Sequence, residues 1–151
     1  MLDDVDRRIL RHLQSDPAQP MSALADAARL PQATAARRIE RLRDKGIVKG
    51  THAVIDWKAL GYAVEVSLRI TLDKTQTRAF DDFMAAARDV PEVIELQTFL
   101  GRVDVRLSII ARDMAHYQSL YRDNILTLPH IADIEALMQV ARVHDRRQLP
   151  L

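Results

Sequence analysis

Gln32, Ala33, Thr34, Arg37, Arg38 and Arg41 stand in one short run. Their types share one chemistry. Arginine guanidinium groups reach phosphates and guanine edges, and small residues let a backbone approach a groove closely. Gln32, Arg37 and Arg41 suit groove or base contact, and Thr34 and Arg38 suit phosphates. Arg38 has a second reading, an ion pair with an acidic residue of the first helix such as Asp6. A different constellation stands at Gly101-Arg102-Val103-Asp104. The glycine permits positive φ and offers backbone N–H groups to a carboxylate, while the aspartate accepts from an ammonium group. Those are the two handles of an amino acid. The same four residues are also ordinary hairpin chemistry, so both readings stay open.

Catalytic chemistry finds little support. The five histidines, His12, His52, His116, His130 and His144, are scattered, and there is no cysteine. No metal-ligand spacing, Gly-rich phosphate loop, nucleophile elbow or zinc-protease signature is present. Asp81-Asp82 reads as an exposed helix pair. The expectation is a non-enzyme without catalytic residues, metal or cofactor, although small α+β folds host enzymes as well as binding modules.

The elements that would position these groups follow from periodicity. Val5, Ile9, Leu10 and Leu13 form the stripe of a first helix with Asp3 as N-cap. Pro17 and Pro20 punctuate the break after it, and Ser22 is expected to cap a second helix carrying Leu24, Ala25 and Ala28. After Arg29-Leu30-Pro31, a third helix runs from about Gln32 to Lys45, with Ala35, Ile39 and Leu42 inward and Gly46 as its C′ residue. Arg37 then lies opposite the buried stripe, on a small, Arg-bearing outer face. Two short helices joined by a tight turn form a helix-turn-helix, and a short strand at Ala53-Val54-Ile55 is expected to lead away from it. Charge supports this assignment. Residues 1–50 carry ten Lys/Arg against seven Asp/Glu, and within 29–49 the balance is seven to two, although the whole chain is only +1.

The period changes in the second half. From Tyr62 to Leu72 every even position is apolar, which predicts a half-buried strand. A helix follows (Phe80, Phe83, Met84, Ala87), then strands near 93–100 and 103–111. A helix capped by Asp113 and a last strand near 131–143 complete a β-α-β-β-α-β order, the ferredoxin-like unit with both helices on one sheet face. The other face mixes Glu65, Ser67, Arg69, Glu95, Gln97, Phe99, Glu135, Leu137 and Gln139. It reads either as a wet face with scattered apolar residues or, the favoured reading, as a self-complementary surface that pairs with a second subunit. The expected organisation is α+β: residues 1–50 a helix-turn-helix domain, 51–61 a linker, and 62–151 a ferredoxin-like domain. The acidic start lacks the pattern of a secretory signal, and no apolar run approaches a membrane span, so a cytoplasmic protein is expected.

Several stretches resemble the leucine-responsive regulatory protein and asparagine-regulator (Lrp/AsnC) family of prokaryotic transcription factors. They are Leu2-Asp3-x-x-Asp6-x-x-Ile9-Leu10, Leu30-Pro31-x-x-Thr34-Ala35-x-x-Arg38-Ile39-x-Arg41-Leu42-x-x-Lys45-Gly46-Ile47-Val48, Pro91-Glu92-Val93 with Gly101-x-x-Asp104, Asp113-Met114-x-x-Tyr117 and Leu149-Pro150-Leu151. The resemblance spans essentially the whole chain in order. It implies a winged helix-turn-helix domain joined to a ferredoxin-like effector domain, homodimers formed through the sheets, and assembly commonly to octamers. It also implies a small effector, usually an amino acid, held between dimers by the loop Thr98, Phe99, Leu100, Gly101, Arg102 and Asp104. Two departures stand out. Pro31 replaces a usual Ser cap, so a shifted or frayed helix start is expected, and Arg102 with the residues before it alters the pocket. The function implied is a sequence-specific regulator of transcription on double-stranded DNA. The rival readings are a nucleoid-organising protein without a ligand and a ferredoxin-like enzyme.

Overall fold

The computed structural model describes residues 2–145 and 148–151 and divides into two compact units, Met1–Val54 with Val143–Leu151, and Ile55–Arg142. The first unit carries α1 (Asp4–Ser15), α2 (Met21–Ala27) and α3 (Gln32–Asp44). Ile9, Leu10, Leu24, Ala28, Ile39 and Leu42 make its core, with Leu2, Val5, Leu13, Met21, Leu30, Val48 and Leu151 packed around them. Each fully buried large side chain here contributes about 1.5–3 kcal/mol through removal of apolar surface from water.

Helix ends show how local chemistry sets this unit. Asp3 caps α1 as expected, accepting from the Asp6 N–H at 2.7 Å, and Asp6 accepts in return from the Asp3 N–H at 3.3 Å. This is a reciprocal capping box built from two aspartates. Ser22 does not cap α2. The helix starts at Met21 after Pro20, which puts Ser22 inside the first turn. Nor is α3 shifted: Pro31 occupies its N-cap position without a side-chain bond, and the helix begins at Gln32.

The C-terminal ends of α2 and α3 share one geometry. In α3, Gly46 sits at φ +66°, with Gly46 N–H to Arg43 O at 2.8 Å and Ile47 N–H to Leu42 O at 2.9 Å. In α2, Arg29 sits at φ +55°, with Arg29 N–H to Asp26 O and Leu30 N–H to Ala25 O, both 2.9 Å. Both are Schellman caps, and they turn the chain sharply toward the next element. At Arg29 a residue with a Cβ holds the left-handed conformation that Gly46 takes without strain.

Three expectations differ from the structure here. Ala53-Val54-Ile55 makes no strand pairing, because residues 47–56 run without a ladder partner. The tail Val143–Leu151 groups with the first unit rather than the second. Gln14 explains this: its side-chain amide donates to Leu149 O at 2.9 Å and accepts from Leu149 N–H at 2.8 Å, while Leu151 joins the helical core. The final strand also stops early, at Met138 rather than near 143.

The second unit runs β1 (Val64–Leu72), α4 (Ala79–Arg88), β2 (Val93–Thr98), β3 (Val105–Ala111), α5 (Met114–Leu120) with a π-helical continuation Tyr121–Ile125, and β4 (Ile131–Met138). The four strands form one antiparallel sheet in the order β2-β3-β1-β4, the ferredoxin-like arrangement. Val66, Leu68, Ile70 and Leu72 of β1 face the same core as Val105, Leu107 and Ile109 of β3 and the helix residues Phe83, Ala87, Leu120 and Ile125. Both helices therefore cover one face. Asp113 caps α5 through the His116 N–H at 2.7 Å, as its position predicts.

Replacing Arg29 by glycine relieves the left-handed strain at a smaller cost in unfolded-chain entropy. The expected outcome is a net stabilisation of about 0.5–1 kcal/mol in denaturant unfolding. Gly46→Ala, the reverse change at the matching position, is expected to destabilise by about 1 kcal/mol.

Candidate nucleic-acid interface and effector loop

On α3 the sequence-predicted residues separate into two sets. Gln32, Ala33 and Arg37 are exposed and Thr34 is half-buried. They lie away from the stripe of Ala35, Ile39 and Leu42 that anchors the helix in the core. No side chain caps the first turn, so its N–H groups and positive dipole end remain open to an anion.

Arg38 and Arg41 are engaged with α1. Arg38 Nη1 lies 2.6 Å from Asp3 Oδ2 and 2.9 Å from Asp6 Oδ1. Arg41 Nη2 lies 2.7 Å from both oxygens of Asp6. The pairing with Asp6 is one of the two readings open for Arg38. Arg41, 45% exposed, meets Asp6 through Nη2 in the same way, a pairing the sequence did not suggest for it. The reason is tertiary: α1 packs its Asp3–Asp6 turn beside the Arg38–Arg41 turn, and Asp6 is only 1% exposed. A buried carboxylate needs paired donors, and two arginines supply them. Sequence reasoning missed Asp3 in this role. Its signal was the matching i, i+3 spacing of two acids on one helix and two arginines on another.

In the second unit the loop after β2 projects into solvent. Thr98, Phe99, Leu100, Gly101 and Arg102 are all exposed, Leu100 fully so. Its base is pinned. Phe99 N–H donates to Asp104 O at 2.9 Å, Asp104 N–H to Ile70 O at 3.0 Å, and the Thr71 hydroxyl to Arg102 O at 3.1 Å. Gly101 has φ +158°, in a region that side chains disfavour.

Asp104 differs from the expectation of an open acceptor. It is 4% exposed. Its Oδ2 accepts the Leu72 N–H at 2.9 Å, and its Oδ1 lies 3.0 Å from Lys74 Nζ. It therefore ties the loop to the end of β1, and Oδ1 is the oxygen that meets an exposed partner, Lys74. Lys74 was missed because nothing in its position marks it until the strand ends at Leu72.

Among the described residues no cluster of three His, Cys, Asp or Glu could hold a metal ion, and no helix is long and apolar enough to cross a membrane.

The Asp3–Arg38 contact sets a pH dependence. The Arg38 guanidinium, and then the Asp6 N–H, hold the Asp3 carboxyl below its ordinary value of 3.8. A depressed folded value means stability that is present above the unfolded value and lost as pH falls through the folded one. The helical unit is expected to lose stability below about pH 4, and Asp3→Asn should flatten that limb of a pH series of thermal melts.

Comparison with known proteins agrees with this geometry. Residues 65–149 match the Lrp/AsnC ligand binding domain, and residues 2–49 match a winged helix-turn-helix DNA-binding domain. The chain is 30% identical over 146 residues to the proline dehydrogenase transcriptional activator of Rhodobacter capsulatus, covering 97% of this chain and 95% of that one. The crystal structure of an AsnC family transcriptional regulator from Agrobacterium tumefaciens is similar, with TM-score 0.89 and 26% identity over 99% of this chain and 97% of that chain. A Neisseria meningitidis transcriptional regulator in complex with L-Met shares the fold, with TM-score 0.92 and 24% identity over the same shares of each chain. A helix-turn-helix unit with an arginine-bearing third helix, followed by a four-stranded ligand-binding domain, is thus what sequence and fold agree on: the chain belongs to the Lrp/AsnC family of DNA-binding transcriptional regulators.

Proposed function

We propose that this regulator reads a two-fold operator as a homodimer, with α3 of each head in successive major grooves about 34–36 Å apart. Gln32, Ala33, Thr34 and Arg37 are the groove-facing set. Arg38 and Arg41 hold the helix through Asp6. The protein acts in the cytoplasm, on chromosomal DNA.

Dimers form through the sheet face that the helices leave bare. That face offers Phe99 and Leu137, 43% and 36% exposed. It also carries the pairs Arg69–Glu135 at 3.6 Å and Arg106–Glu95 at 3.2 Å. Apolar groups framed by charges of both signs suit self-complementary pairing. Dimers assemble further, to octamers.

The observation that carries the effector reading is the loop Thr98–Arg102, exposed at its tip and pinned at its base. A loop that stands clear of its own protomer can enclose a ligand only when another subunit closes over it. A small amino acid is the ligand class, since backbone N–H groups beside Gly101 suit its carboxylate and Asp104 Oδ1 suits its ammonium group in place of Lys74. The L-Met complex of the Neisseria regulator, which shares the fold, supports that class. The effector shifts assembly or the setting of the DNA heads to the extent that it binds one arrangement better than the other.

Arg37→Ala is expected to weaken operator binding by about tenfold or more, the loss of one charge-assisted contact, with the sedimentation coefficient unchanged. Asp104→Ala is expected to blunt the response to added amino acid in calorimetry and sedimentation, while unliganded DNA binding persists. Absence of a response to any of the twenty amino acids in the unsubstituted protein would favour a nucleoid-organising role.

A further inference from the structure

Asp6 is the most deeply buried charged residue described in this chain, and it lies under the helix assigned to DNA. Its two oxygens take Arg41 Nη2 at 2.7 Å each, and Oδ1 also takes Arg38 Nη1 at 2.9 Å. Asp3 adds a second acid on Arg38 at 2.6 Å. Two acids and two arginines thus cancel in place, at the edge of the one element that concentrates positive charge.

This arrangement resists exchange with DNA. Drawing both arginines to phosphates would leave a carboxylate unpaired in the interior, which is strongly unfavourable, whereas an exposed ion pair in salt returns little. A pair of free arginines on this turn would instead strengthen contact with any duplex, because non-specific affinity comes almost wholly from phosphate neutralisation.

We propose that Asp6 is a specificity-determining residue: by holding Arg38 and Arg41 out of the phosphate contacts, it suppresses binding to arbitrary duplex and leaves discrimination to the exposed residues of the first turns of α3. The proposal rests on the reading of α3 as the groove helix. It adds that two of the arginines in this helix are restrained from DNA by a named acid.

The test uses the full-length chain, an operator selected from random duplexes, and one random-sequence duplex, each titrated over a range of salt. For Asp6→Asn the expected result is tighter binding to the random duplex and a smaller operator-to-random ratio. The log–log salt slope should steepen by about 0.9 per head for Arg41, which Asp6 alone holds, and by up to about 1.8 where Arg38 also leaves Asp3. Adding Arg38→Gln and Arg41→Gln to Asp6→Asn should return the slope to its original value. A purely structural Asp6 would lower affinity for both duplexes with the slope unchanged, and that result overturns the proposal.

Should Asp6→Asn fail to fold, the guanidinium NMR signals of the unsubstituted protein decide. Slowly rotating Nη groups on Arg38 and Arg41, unmoved by the random duplex, support the restraint, and signals that shift on DNA addition overturn it. An unsubstituted protein that binds neither duplex fails in a separate way, by removing the reading of α3 on which the proposal stands.

Discussion

Two helices cannot cover both faces of a four-stranded sheet, and much of the effector unit is organised by that limit. The strict alternation in β1 sends Val66, Leu68, Ile70 and Leu72 toward α4 and α5, where they are essentially fully buried. The same alternation sends Glu65, Ser67, Arg69 and Thr71 to a face with no helix over it. Cross-strand partners on that face satisfy one another: Arg69 lies opposite Glu135, and Glu95 accepts from Arg106 and Ser108. Along β4 the residues Ala136 to Met138 are exposed, although Ala136 and Met138 pair with the core-facing Leu68 and Val66, so one end of the sheet is left uncovered even on its helical side. A sheet built this way is stable through one face and sociable through the other. The proposed homodimer follows from that asymmetry.

In the helical unit the organising force is the need to satisfy helix termini. Asp3 and Asp6 serve the backbone of α1 and the guanidinium groups of α3 together, so a capping motif doubles as a clamp between helices. The turn between α2 and α3 is bought at Arg29, where the chain needs a left-handed residue to redirect itself. These short-range devices orient α3 with its first turns facing outward. The loop after β2 follows the same logic on a sheet: Asp104, Phe99 and Thr71 fasten its base so that its tip can remain open.

Periodicity made the fold legible. The alternation at Tyr62–Leu72 predicts β1 within two residues, the Phe80–Ala87 stripe predicts α4, and Asp3, Asp113 and Gly46 mark helix ends through side-chain or backbone chemistry visible in one residue. Features that depend on distant partners were not legible. Arg41 reads as an unpaired cation until α1 is laid beside it, and the Leu149–Leu151 tail has no period to read, because its partner Gln14 is 135 positions away. Arg29 hides its turn since only glycine or asparagine advertises a left-handed cap. Ser22 misled for a related reason: a serine near a helix start is a cap only if the first turn begins after it, and Pro20 takes that place.

The strand order leaves β2 and β4 with one unpaired rim each. Such rims are templates for uncontrolled strand addition and fibre growth. On β2 the ladder is interrupted between Val93 and Glu95, where Ile94 has no opposite number on β3, and β4 breaks register against the Thr71/Leu72 step. Irregular borders make a poor template for a neighbouring backbone, so edge-to-edge stacking is disfavoured and the broad face is left as the surface of the proposed homodimer.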